Sequence, residues 1–159
     1  MNDDDYMQMA LEQARLAAEM GEVPIGAVVV GPEGEVVGRG HNRRESLQEP
    51  TAHAELLAMQ QAARTLGSWR LIDCTVYVTL EPCPMCAGTM VNARLSRAVF
   101  GARDPKAGAV RSLYELLEDR RLNHVVEVEE GCLAEACGDV LTEFFRAIRE
   151  GRGVPKPGS

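Results

Sequence analysis

Two thiols three positions apart, Cys83 and Cys86 in LEPCPMCAG (80–88), have the spacing for chemistry. Such a pair serves as a redox couple, as half of a structural zinc clamp, or as half of a catalytic metal site, and the pair alone does not choose. At i and i+3 on one helical turn both sulfurs lie on the same face. A helix N-terminus also stabilises the thiolate, the form that binds metal. A third ligand is at hand: the chain has three histidines, and His53 opens PTAHAELLAM with Glu55 two residues later. Positions i and i+2 do not share a helix face. His53 and Glu55 can therefore enter one cavity only where His53 sits at the extreme N-terminus, before the backbone is fully helical. The expected geometry is two helix N-termini meeting at one metal.

Two cysteines and one histidine make three ligands, and tetrahedral zinc takes four. Structural sites close the fourth position with protein, whereas catalytic sites leave it to water. No other Cys or His has chelating spacing: Cys74 falls in a strand-like segment, and Cys132 and Cys137 lie far downstream. The open site is favoured, and a Cys2His set favours zinc. Zinc lowers the pKa of its water toward 7, and Glu55, a carboxylate that is not a ligand, is placed to move the proton. The spacing H-x-E…P-C-x-x-C is that of the zinc nucleobase deaminases. The reaction is then addition of water at a ring carbon bearing an exocyclic amine. Glu55 passes one water proton to the ring nitrogen and the other to the departing amine, and N–H groups near Ala54 or Cys83 bind the new oxygen. Taken singly, His53 reads as a helix cap and Glu55 as a solvated first-turn carboxylate; only the constellation overturns that.

The elements that must position these residues follow from apolar periodicity. Met7, Ala10, Leu11, Ala14, Ala17 and Ala18 predict a helix over 4–20 that Gly21 stops. Ile25–Val30 and Glu35–Arg39 read as a hairpin around GPEG. After a loop over 40–52, a helix is expected at 53–66, a strand at 74–80, and a helix from Pro84, which suits a first turn. Strands at Arg97–Phe100 and His124–Val128, a short helix at Ser112–Glu118 and a helix at Leu133–Ile148 complete the pattern. Helices and strands that alternate after a hairpin predict an α/β chain: a three-layer α/β/α sandwich around a five-stranded mixed sheet. The expected organisation is a single zinc-dependent deaminase domain over 1–150 and a flexible C-terminal tail over 151–159.

Bulk properties bound the reading. With 159 residues, 45% hydrophobic and 26% charged, the chain matches one ordinary globular domain. No apolar run approaches the roughly 20 residues that span a bilayer, and MNDDDYMQMA has neither the basic nor the apolar part of a signal peptide. A cytoplasmic protein with no membrane partner is the expectation. Five cysteines in no secreted-domain spacing point to metal or catalytic use. The net charge of −7 argues against nonspecific coating of nucleic acid. It leaves room for a local basic rim, for which Arg43, Arg44, Arg94, Arg97, Arg103, Lys106, Arg111 and Arg146 are candidates.

Beyond the signature, GEVPIGAVVV, PTAHAE, RLIDCTVYVTLEPCPMCAG, VFGARDPKAGA and a late EFFR span roughly residues 20–146. Through them the chain resembles the bacterial tRNA-specific adenosine deaminases, the TadA family of the cytidine/deoxycytidylate deaminase superfamily. The resemblance implies a cytidine deaminase-like fold and conversion of adenosine to inosine at the wobble position (position 34) of a tRNA anticodon. It implies one zinc per subunit held by His53, Cys83 and Cys86, Glu55 as the catalytic proton shuttle, and a homodimer with the tRNA anticodon stem-loop as partner. By position, Asn42 would hydrogen-bond the flipped nucleoside, Asp104 and Lys106 would meet the neighbouring sugar–phosphate, and Phe144, Phe145 and Arg146 would build the anticodon-loop surface. Phe144 and Phe145 also fit the apolar stripe of their helix, so at least one is expected in the core. The rival reading is a deaminase of a free base or nucleotide, such as guanine, cytosine or dCMP; GARD-x-K-x-GA and FFR speak against it. A rival of another class is a noncatalytic zinc-stabilised RNA-binding domain.

Overall fold

Alternation along the strands decides which layer each side chain serves. In β1 (Gly26–Val30), Ala27 and Val29 join one apolar cluster while Val28 and Val30 join another. β3 (Thr75–Leu80) and β4 (Arg97–Ala102) divide likewise: Val76, Val78, Ala98 and Phe100 face the first cluster, Tyr77 and Val99 the second. Both faces are covered, which gives the expected three layers. The structure, a computed structural model, describes residues 1–151. Residues 152–159, which hold nearly all of the expected tail, lie outside the described residues.

With β2 (Val36–His41) and β5 (Glu127–Glu130), the sheet runs β2-β1-β3-β4-β5. β1 is antiparallel to both β2 and β3, whereas β3–β4 and β4–β5 are parallel, so the sheet is mixed. One face carries α1 (Asp3–Glu19) and α5 (Ala134–Arg149); the other carries α3 (Ala54–Leu66) and α4 (Pro84–Asn92). Helix α1 is opened by a reciprocal cap in which Asn2 and Asp5 exchange backbone-to-side-chain bonds of 2.9 Å. Asp3 then receives both Arg97 nitrogens, at 2.9 and 2.8 Å, and the Tyr77 hydroxyl at 2.7 Å, tying the helix to β3 and β4.

Glycine sets the height of α3. A Cβ added at Gly38 would come within 2.2 Å of the Ala58 carbonyl, and one at Gly40 within 2.3 Å of the Ala54 carbonyl. The helix therefore lies directly on strand β2, and its first turn is held at one level above the sheet.

Three expectations need correction. The last strand begins at Glu127, not His124, because the residues before it bond elsewhere: His124 Nε2 is 2.6 Å from the Leu95 carbonyl, and the Val126 amide donates to Leu117 at 2.8 Å. The short helix at 112–118 shrinks to a 3-10 turn at Leu116–Glu118, since the amides of Val110, Arg111 and Ser112 are all given to Glu81. The loop over 40–52 contains a four-residue helix, α2 (Arg44–Leu47), which ends on Gln48 in a left-handed conformation (φ 52°). Among the described residues no helix is long and apolar enough to cross a membrane.

Candidate active site

His53 is the N-cap of α3 and Cys83 the N-cap of α4, both with extended backbone (ψ 150° and 174°). Pro84 follows at the first helical position and Cys86 comes two residues later, so the two helix N-termini converge as the spacing requires. The Cys83 and Cys86 sulfurs each lie 3.6 Å from His53 Nδ1. The ligand atoms of all three residues fall within 4.8 Å of one another, an arrangement that can hold a metal ion. Among the described residues no fourth side chain joins the group, and Glu55 stands outside it.

The electrostatics fit a ligand set. A hydrogen bond from Cys86 holds the Cys83 thiol down to about 4, with burial opposing and His53 assisting. The same contact, together with burial, pushes the Cys86 thiol up. The two sulfurs thus share one proton, which a divalent ion would displace. Glu55 is 4% exposed. Burial, opposed by its own backbone amide, lifts its carboxyl to about 7, where it can both accept and give a proton near neutrality.

His53, Cys83 and Glu55 open on a cavity of about 170 Å³, with Cys86 buried behind them. Val23, Ile25, Leu80 and Ala107 supply apolar wall, while Asn42, Arg44, Glu55 and Asp104 supply polar groups. Asn42 is 5% exposed; its Nδ2 donates to the Val23 carbonyl at 3.2 Å and its Oδ1 accepts from the Arg44 amide at 3.2 Å. Each end of that amide keeps one bonding position for a ligand. Asp104 Oδ1 accepts from the amides of Lys106 and Ala107, at 3.1 and 3.2 Å, and so shapes its own turn. Ala54 lines the cavity at the head of α3, where first-turn amides lack helical acceptors.

Other expected residues lie apart. Lys106 is exposed and does not line the cavity. Phe144 is in the core at 8% exposure and Phe145 is 43% exposed, their rings 5.4 Å apart and edge-to-face. Arg146 is tied to Glu143 at 3.1 Å, and none of these three residues lines the cavity.

Two buried carboxylates have roles the sequence does not reveal: Glu81, for which it suggests only a structural ion pair, and Glu22. Glu81, 3% exposed, is in no ion pair among the described residues, although an ion pair is the commoner use of a buried carboxylate. Its oxygens accept from the amides of Asp104 (3.0 Å), Val110 (3.1 Å), Arg111 (2.7 Å) and Ser112 (2.9 Å) and from the Ser112 hydroxyl. Burial would raise this carboxyl, but those donors hold it down to about 2. Glu22, 1% exposed, accepts from the amides of Glu45 (3.1 Å) and Ser46 (2.7 Å) and so fixes α2 and Arg44 beside the cavity. A carboxylate next to a strand or turn is the only sequence signal either one leaves, since backbone amides have no residue type.

Comparison with known proteins adds to this geometry. The profile of the MafB19-like deaminase family matches residues 1–149. The chain is 51% identical to the tRNA-specific adenosine deaminase of Bacillus subtilis (strain 168) over 148 residues, which is 93% of this chain and 91% of that protein. A structure solved in a study of A-to-I editing by tRNA:A34 deaminases at the wobble position of transfer RNA superposes with a TM-score of 0.82. It is 42% identical, and the match covers 86% of this chain and 99% of that one. A guanine deaminase from Nitrosomonas europaea, 24% identical, aligns with a TM-score of 0.78 over 89% of this chain and 83% of its own; that likeness extends to the fold alone.

Proposed function

We propose that this chain, which belongs to the tRNA-specific adenosine deaminase family, hydrolyses adenosine to inosine and ammonia at the wobble position (position 34) of a tRNA anticodon. One observation carries the reading: a His53–Cys83–Cys86 trio beside a buried Glu55 that is not part of it, with His53, Cys83 and Glu55 lining one cavity. The trio fits zinc. Bonds of about 2.3 Å to sulfur and about 2.05 Å to nitrogen at a tetrahedral angle separate the two ligand atoms by about 3.6 Å, and both S···Nδ1 distances are 3.6 Å. His53, Cys83 and Cys86 would hold a zinc ion, which would supply a Lewis acid that makes water a nucleophile near neutral pH.

The chain's own residues do the rest. Glu55 takes one proton from the attacking water and gives it to the purine ring nitrogen as the C–O bond forms. It then takes the remaining hydroxyl proton and gives it to the amine, which leaves as ammonia as the C–N bond breaks and the carbonyl forms. Its burial beside the thiolates favours that exchange at neutrality. The free donor and acceptor of Asn42 orient the base, and the first-turn amide of Ala54 faces the oxygen that replaces nitrogen. Val23, Ile25, Leu80 and Ala107 exclude bulk water. A cavity this size admits one base, so the nucleotide enters extruded from its neighbours, and an unpaired anticodon loop gives up a base at low cost. Asp104 and Lys106 meet the adjoining sugar–phosphate, and Phe144, Phe145 and Arg146 on α5 support the anticodon loop. The enzyme works in the cytoplasm as a homodimer. Exposed Leu113, Tyr114, Trp69 and Ile72 offer apolar surface for a second subunit.

The test is direct. A tRNA transcript with adenosine at the wobble position is incubated with the protein and sequenced after reverse transcription, where inosine reads as guanosine. Conversion at that position alone, lost in Glu55→Ala, is the expected result. Turnover of free guanine, cytosine or dCMP with none in tRNA would overturn it.

A further inference from the structure

Eight cations are candidates for a basic rim, and the structure sorts them by what they already touch. Arg97, Arg103, Arg111 and Arg146 each face a carboxylate, at 2.8, 2.8, 2.9 and 3.1 Å. Their charge is largely answered within the chain. Arg43, Arg44, Arg94 and Lys106 are in no ion pair among the described residues, and neither are Arg39 and Arg64, which are not among the eight. Of these, Arg39, Arg43 and Arg64 line one open depression of about 310 Å³, together with Gln13, His41 and Gln61.

The fold brings them together. Arg39 is on β2, Arg64 is in the last turn of α3, and Arg43 is the residue at which the chain turns into α2. The glycine contacts that seat α3 on β2 place strand and helix arginines side by side, and the Arg39 amide bonds Gln61 Oε1 at 2.7 Å across the seam. Arg43 Nε is buried with no hydrogen-bond partner among the described residues. A guanidinium is donor-only, and a buried donor left without an acceptor is uncommon in folded chains. In a chain of net charge −7, three converging guanidiniums left without carboxylates are arranged for an anion from outside. Guanidinium groups match phosphate geometry, two donors to two oxygens.

The depression adjoins the catalytic cavity along the chain. Asn42 and Arg44 line the cavity, while Arg43, between them, lines the depression. We propose that Arg39, Arg43 and Arg64 form a phosphodiester-binding groove that holds the RNA backbone flanking the nucleotide in the cavity. The proposal rests on the RNA substrate of the proposed function and adds to it the surface that grips that substrate.

The zinc-loaded full chain is compared with the triple variant R39Q/R43Q/R64Q, with wobble-adenosine tRNA as probe. Binding is measured by fluorescence anisotropy, and inosine formation is measured across a salt series. Each phosphate contact contributes close to one unit of salt slope, so the triple variant is expected to lose about two to three units in log K against log salt. Its KM should rise about tenfold or more near physiological salt, with kcat within about twofold. Replacing all three by lysine should restore most of the slope. Because Arg43 is partly buried, R39Q/R64Q serves as a second variant on exposed positions, with an expected loss of about one to two units. Wild-type slope and KM in a folded, zinc-loaded R39Q/R64Q would overturn the proposal. Binding and turnover are read separately. A wild type that binds tRNA with the expected slope but forms no inosine therefore overturns the proposed function and supports the groove.

Discussion

Replacing Glu81 by Gln keeps the shape of the side chain and removes half of its function. In the folded chain Oε2 accepts three amides, from Val110, Arg111 and Ser112, and Oε1 accepts the Asp104 amide and the Ser112 hydroxyl. A Gln must point its NH2 at one of these sets. The better choice leaves two donors facing a donor; the hydroxyl can turn away, but the Asp104 amide is stranded. Stranding one buried amide costs about 1–3 kcal/mol, and the remaining bonds lose their charged acceptor. A second route agrees. The carboxyl is held at about 2 against an ordinary 4.5, equivalent to about 3 kcal/mol in favour of the folded, charged form. Because the folded value is the lower one, this stability is complete above about pH 4.5 and is lost as pH falls toward 2. Urea unfolding of wild type and Glu81→Gln should therefore differ by about 3 kcal/mol at pH 7, and the gap should narrow by about 1 kcal/mol at pH 4. Loss of metal in acid is common to both proteins and cancels in the difference. Since Asp104 and Ala107 line the cavity, KM for tRNA should also rise. A gap under 1 kcal/mol at pH 7, or one that stays constant between pH 7 and pH 4, would refute the cage as described.

Other perturbations have equally definite outcomes. Glu55→Ala should retain zinc, measured by atomic absorption, and lose about 10²–10⁴-fold or more in kcat; wild-type turnover would exclude Glu55 as the shuttle. Cys86→Ala, or exhaustive chelation, should abolish deamination and lower the melting temperature, and re-metallation should rescue only the chelated wild type. Gly40→Ala drives a methyl into the Ala54 carbonyl, so calorimetry should register a loss of about 1–3 kcal/mol with weaker zinc retention as the head of α3 lifts; an unchanged protein would refute the close seating. Glu22→Ala removes the acceptor of two amides in the turn that carries Arg44, and a cost of about 1–3 kcal/mol with raised KM is expected.

The centre was legible because metal chemistry admits few residue types at few spacings. His53 with Cys83 and Cys86 could be named from sequence, and even the non-helical backbone of His53 followed from its placement two residues before Glu55. The long helices α1, α3 and α5 were legible from their stripes. What stayed hidden had no pattern to reveal it. Glu22 and Glu81 bind backbone amides, which every residue possesses. The register of β5 was obscured because EVEE is an exposed edge strand in which only Val128 is partly covered. Arg39 and Arg64 are 25 residues apart in sequence, and only the seating of α3 on β2 unites them with Arg43. The reverse error arose with Arg97, Arg103, Arg111 and Arg146, which look available in sequence and are occupied in the fold.

The placement of the ligands at the heads of two separate helices makes the metal a cross-link. His53 and Cys83 are 30 positions apart, and the span between them contains all of α3, the connection bearing Trp69 and Ile72, and β3. Closing a segment of that length restricts the unfolded chain by about 3–4 kcal/mol in the chain-entropy terms applied to a disulfide. The ion is thereby a fastener as well as a reagent. Stripping it should loosen the 67–73 connection, and faster chymotrypsin cleavage next to the exposed Trp69 would report metal loss without any measurement of turnover.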